Sequence, residues 1–158
     1  MSSNNITGQE KYQNYRNQFD RLKKALNNEF YLEAIFIEYA ILEDRTESIL
    51  RHSGLWDAYM KTRKGRMANI DSKLMFIHKH AQNKKYLLSR YFADDLMLQL
   101  RAWKNERNPL IHDLLNQKLG PDALQDLAIR GNDLIKTLRT RTTNHNRAVD
   151  RQNAQTEQ

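Results

Sequence analysis

Residues 30–42 read Phe-Tyr-Leu-Glu-Ala-Ile-Phe-Ile-Glu-Tyr-Ala-Ile-Leu, and wound at 3.6 residues per turn they are apolar on nearly every side. A helix with no polar face has to be covered from several directions or feed a subunit interface, so this stretch demands other helices around it. Glu33 and Glu38 interrupt the run, which is also too short to cross a bilayer, so no membrane association is expected. The helix predicted from this core spans about 29–52. It turns polar in its second half through Glu43, Asp44, Arg45, Glu47 and Arg51, and closes at Ser53-Gly54.

The partners it needs are legible as amphipathic patterns. Tyr12, Tyr15, Phe19, Leu22 and Leu26 recur at three and four, predicting a helix over 9–26 with cations on its other faces. Leu74, Ile77 and Ala81 predict a helix over 71–82, capped by Asn69 or Asp71. Leu96, Leu100 and Trp103 mark one face of a helix over 86–107. Asn108 and Pro109 suit an N-cap and a first helical position, so a new helix is predicted over 109–119, ending at Gly120. Pro121-Asp122 opens a last helix with Leu124, Leu127, Ala128, Leu134, Ile135 and Leu138 inside, where Gly131 permits close packing.

The expected fold is therefore all-α, an up-and-down bundle of about five or six helices. Residues 9–141 form the bundle, 1–8 a disordered start and 142–158 a disordered basic tail in which His145 is solvated. The polar residues 1–9 do not resemble a signal peptide, and the 158 residues include no Cys, which is compatible with a reducing cytoplasm. Without Cys there is no thiolate site, and His78 and His80, two apart on a helix, point different ways. No metal and no cofactor are expected. A net charge of +7 favours a polyanionic partner such as RNA.

One short stretch carries residue types that do chemistry. Arg107 ends the apolar stripe of one predicted helix, Asn108 caps the next, and His112 falls in that helix's first turn, where unpaired N–H groups attract phosphate. Arg supplies a permanent planar charge for phosphate oxygens and His a proton near neutral pH. An Arg followed within a few residues by His also occurs at Arg45–His52 and Arg139–His145. The Asn directly after the Arg and the helix boundary set Arg107–His112 apart.

Arg107-Asn108-x-x-x-His112 between helices of a small all-α protein resembles the active motif of the HEPN superfamily, helical nucleotide-binding and RNA-cleaving domains of prokaryotic defence systems and toxins. The likeness is strongest over residues 70–119. It implies a HEPN-like bundle, usually a homodimer with two motifs facing one cleft, that cuts RNA without metal. Arg107 and His112 would be the catalytic pair and Asn108 their polar companion. Position 114, where some members carry Tyr, is Leu, which argues against a Tyr-dependent nucleotidyl-acceptor role.

Two further groups are supporting candidates. Glu43 and Glu47 put like charges on one helical face, and Arg107 is a cation that could relieve them while being oriented by them. Lys61, Arg63, Lys64 and Arg66 cluster around Gly65 just after Trp56 and Tyr59, as in loops that bind single-stranded RNA; alternatively the rings pack inward and the cations solubilise the loop. The expected function is metal-independent endoribonuclease action. The alternatives are a non-catalytic nucleic-acid- or partner-binding bundle, and a toxin-pair subunit working with an antitoxin or other protein partner.

Overall fold

In the computed structural model, which describes residues 8–116 and 120–156, the chain is an all-α bundle. Its elements are α1 (Gly8–Asn27), α2 (Tyr31–His52), α3 (Trp56–Thr62), α4 (Ile70–Ala81), the single turn α5 (Ser89–Phe92), α6 (Leu96–Asp113), a 3₁₀ turn (Leu114–Asn116) and α7 (Pro121–Thr156). Expectations for 1–7, 117–119 and 157–158 lie outside the described residues.

The all-round apolar helix is central, as its composition requires. Ala34, Ile35, Ile37, Ile41, Leu42, Ile49 and Leu50 of α2 are buried, α1 and α4 pack on it, and α7 covers its length. Each large aliphatic side chain withdrawn from water in this way contributes about 1.5–3 kcal/mol. α7 and α2 run in the same direction, with Gly131 against Glu38 near one end and His145 against Ser53 near the other. α6 runs antiparallel to α7, tied by Arg130 to Glu106 and by the Trp103 indole N–H donating 2.9 Å to the Leu127 carbonyl. α4 is joined to α6 by Asp71, which accepts from Arg101 at 2.8 Å and from Lys104 at 3.0 Å. The Arg101 hydrogen bond, with help from Lys104, holds the Asp71 carboxyl below its ordinary range. Asn69 caps α4 as expected, its side chain accepting from the Ser72 N–H.

Three boundaries differ from the sequence expectation. The helix predicted over 86–107 is divided into α5 and α6 by residues 93–95, where Asp94 turns outward to pair with Arg141 of α7. α6 then continues through Pro109 to Asp113, so no helix begins at Asn108. Proline lacks an N–H and releases the carbonyl one turn back, but Asn105, which owns it, is exposed to water. Leu110 and Ile111 meanwhile pack against the core beyond the proline and hold the last turn in place.

The third difference is the expected disordered tail. α7 continues to Thr156, and Thr142 and His145 are fully buried. His145 sits between the Tyr91 and Phe92 rings, bonded through Nδ1 to the Asn146 side-chain oxygen at 2.9 Å, while Asn146 donates to Ser48 Oγ of α2. Aromatic neighbours and a polar clamp on α2 anchor a segment whose own composition is hydrophilic. His145 is therefore interior, not solvated.

The close approach read from Gly131 is present. A methyl group there would lie 2.7 Å from the Trp103 indole nitrogen and would run into the Glu38 carboxyl. Gly131→Ala gains about 1 kcal/mol in helix propensity, and overpacking at a rigid junction costs about 1–3 kcal/mol or more. We expect the variant to unfold at lower denaturant than wild type, measured by chemical denaturation, despite replacing a helical glycine with the best helix former.

Candidate functional site

The motif residues all lie on the last two turns of α6. Asn108 and His112 are four apart, exposed, and share one face; Arg107 lies about 140° round the helix from His112 and roughly 7.5 Å along it. His112 belongs to the final turn of α6, so the first-turn N–H groups expected to assist an anion are absent at this place.

Arg107 is held by aromatic rings. Its guanidinium carbon lies 4.1 Å from the centroid of Tyr39 and 5.4 Å from that of Phe36, both from α2, and Nη1 donates to the Asn108 side-chain oxygen at 3.2 Å. Nε is covered and has no partner among the described residues. A guanidinium flat on a ring keeps its N–H edge available for in-plane oxygens. Phe36 remains 49% exposed, so the rings and the Arg edge form one open surface.

The acidic support expected for Arg107 is not there. Glu47 pairs with Arg51 at 2.7 Å, and Glu43 is exposed one turn beyond Tyr39; among the described residues neither carboxylate pairs with Arg107. The rings of Phe36 and Tyr39 lie on the side of α2 that Arg107 reaches, and they take the role assigned to the carboxylates. Of the basic loop, Lys61, Lys64 and Arg66 are exposed, while Arg63 folds back to donate to the Met67 carbonyl at 3.0 and 3.1 Å. Tyr59 is buried and Trp56 is stacked under Arg51 at 4.1 Å, so these rings pack inward. The structure pairs Arg107 with Asn108 and puts His112 on the Asn108 face, away from the Arg107 side of α6; among the described residues Glu43, Glu47 and the loop cations form no ion pair or hydrogen bond with them.

Two buried ionisable groups were read otherwise from the sequence, Glu38 only as a break in an apolar run and His145 as solvated. Glu38 is wholly buried, both carboxyl oxygens lack a partner among the described residues, and burial, with a smaller push from Asp133, raises its pKa to about 9. A glutamate inside the most apolar helix of the chain was the available signal. Burial lowers the pKa of His145; its bond to Asn146 opposes this and nearby His52 adds to it. Compared with protein-family models, curated proteins and solved structures, the chain matches none.

These two groups set opposite pH dependences of stability. Glu38 titrates higher folded than unfolded, so its contribution is present below about pH 4.5 and is lost as pH rises toward about 9. His145 titrates lower folded than unfolded, so its contribution is present above about 6.5 and is lost as pH falls. Thermal unfolding from about pH 5 to about pH 9 should show Glu38→Gln removing the alkaline decline and His145→Gln flattening the acid limb. Parallel pH profiles for wild type and Glu38→Gln would show that Glu38 is not neutral in the fold.

Proposed function

We propose that this protein is a metal-independent endoribonuclease of the HEPN type, acting in the cytoplasm within a defence or toxin system. The reading rests on the Arg107-Asn108-x-x-x-His112 motif. The observation that carries it is the state of Arg107: over the Tyr39 ring, beside Asn108, and without a carboxylate partner among the described residues. A guanidinium kept in that state is prepared for an external oxyanion.

In the reaction His112 removes the proton from a ribose 2′-hydroxyl as that oxygen attacks the adjacent phosphorus. The 5′-oxygen departs with a proton from a general acid, leaving a 2′,3′-cyclic phosphate and a 5′-hydroxyl. Arg107 stabilises charge developing on the non-bridging oxygens. One His does not readily serve as base and acid at one centre. The motif also lies on an open helix face, so two copies meeting across Phe36 and the end of α6 would supply a second His112 and close a cleft.

The test is cleavage of labelled RNAs in EDTA. Wild type should yield cyclic-phosphate ends, and His112→Ala should reduce the rate by about 10²–10⁴-fold. Tyr39→Leu, which removes the ring beneath Arg107, should slow cleavage while Tyr39→Phe retains it. Equal cleavage by wild type and His112→Ala would overturn the reading. RNA binding that resists Arg107→Ala, without cleavage, would mark a binding module instead.

A further inference from the structure

We propose that Ser53, His145 and Asn146 form a second reactive site, a serine nucleophile with its base and the residue that positions the base, which hydrolyses a small carboxylic ester. The three meet where the end of α2 and the C-terminal part of α7 lie side by side. Ser53 follows the last turn of α2, and its Oγ lies 3.4 Å from His145 Nε2. His145 Nδ1–H donates to the Asn146 side-chain oxygen at 2.9 Å, and the Asn146 amide donates in turn to Ser48 Oγ at 3.1 Å. The series of contacts therefore leaves α2, crosses to α7 and returns. A hydroxyl within reach of a base that a third group orients is the arrangement that activates an oxygen nucleophile.

Each part is in the state that the chemistry needs. His145 is fully buried beside the Tyr91 and Phe92 rings, which limit its rotation. The bond to Asn146 keeps the proton on Nδ1, so Nε2 presents its lone pair to Ser53. Burial favours the neutral imidazole, the form that accepts a proton. Ser53 Oγ rests as a donor to the Ile49 carbonyl at 2.6 Å, a bond that rotation of the hydroxyl exchanges for His145 Nε2. The 3.4 Å separation is long for a resting bond, and catalytic bonds of this kind tighten when substrate is bound.

Ser53 and His145 line a groove of about 370 Å³, the size of a small-molecule site. Gly54, at φ +67°, turns the chain away after Ser53 and brings no side chain of its own to the groove. Leu55, Leu87 and Val149 give an apolar wall for a short acyl chain, and the Lys85 ammonium supplies positive charge for the oxygen that becomes negative. The N–H groups of Ser53, Gly54 and Leu55 are already committed to α2 carbonyls. With no pair of backbone donors from that side, the substrate that fits is an ester and not the less reactive amide. In the reaction Ser53 Oγ bonds to the ester carbonyl carbon as its proton passes to His145 Nε2. The tetrahedral intermediate breaks its bond to the alcohol oxygen, which leaves with that proton. Water then adds to the acyl-Ser53 ester, giving a proton to His145, and the carboxylic acid departs as Ser53 regains its hydrogen.

The test applies p-nitrophenyl butyrate and a fluorophosphonate, which exchanges its fluoride for a serine oxygen, to the full chain. Wild type should hydrolyse the ester and be phosphonylated at Ser53, located by peptide mass spectrometry. Ser53→Ala should lose the label and the hydrolysis. His145→Gln should slow both reactions about 10²–10⁴-fold while circular dichroism shows the fold intact. Asn146→Ala should lower kcat with KM unchanged, and Asn146→Asp, which still accepts from His145 Nδ1, should restore it. No label at Ser53, hydrolysis equal in wild type and Ser53→Ala, labelling as fast in folded His145→Gln, or kcat indifferent to Asn146→Ala would each overturn the proposal. The Ser53 and Asn146 results decide it even where His145→Gln does not fold. None of these readouts involves RNA, so they are independent of cleavage at His112.

Discussion

The contact between α2 and α7 at Gly131 is the constraint on which the bundle is built. Glu38 and the Trp103 indole occupy the space a side chain would take, so α2, α6 and α7 converge on one glycine. The convergence brings the indole N–H to the Leu127 carbonyl and shuts the Glu38 carboxyl away from water. A carboxylate could not be left there uncompensated, and protonation is the response of least cost. From this junction α7 follows α2 to its far end, where His145 and Asn146 engage Ser53 and Ser48.

That path explains how two regions of modest hydrophobicity become ordered. The C-terminal part of α7 has few apolar residues, yet Thr142 and His145 are fully buried because α2, α5 and α7 meet there. The loop side of α2 is similar: Tyr59 bonds Ser72 at 2.7 Å and meets Phe76 edge-on, so a short helix forms where sequence pattern is weak. In both places polar and aromatic contacts substitute for a continuous apolar stripe.

The arginines show a second consistent device. Arg45, Arg51, Arg107 and Arg139 each lie over an aromatic ring at 4.1–4.3 Å. Arg45 and Arg51 are also engaged by carboxylates, Asp44 and Glu47; among the described residues Arg107 and Arg139 are not. These two guanidiniums stand on different faces, Arg107 bonded to Asn108 and Arg139 in the α1/α7 groove.

Sequence alone determined the helical class and the burial of α2, narrowed the cap of α4 to Asn69 or Asp71 and showed that Gly131 permits close packing, since each follows from local periodicity, side-chain chemistry or size. It also singled out Arg107, Asn108 and His112, but read a helix boundary between them where α6 is continuous. Only tertiary structure decided the rest. Pro109 looked like a helix start, but core packing of Leu110 and Ile111 outweighs the one backbone bond it loses. Arg107 was one candidate partner for Glu43 and Glu47, yet the side of α2 that it reaches carries Phe36 and Tyr39. The interior of His145 and the cations of the α1/α7 groove depend on which helices lie side by side across a hundred residues of chain, and no local pattern encodes that neighbourhood.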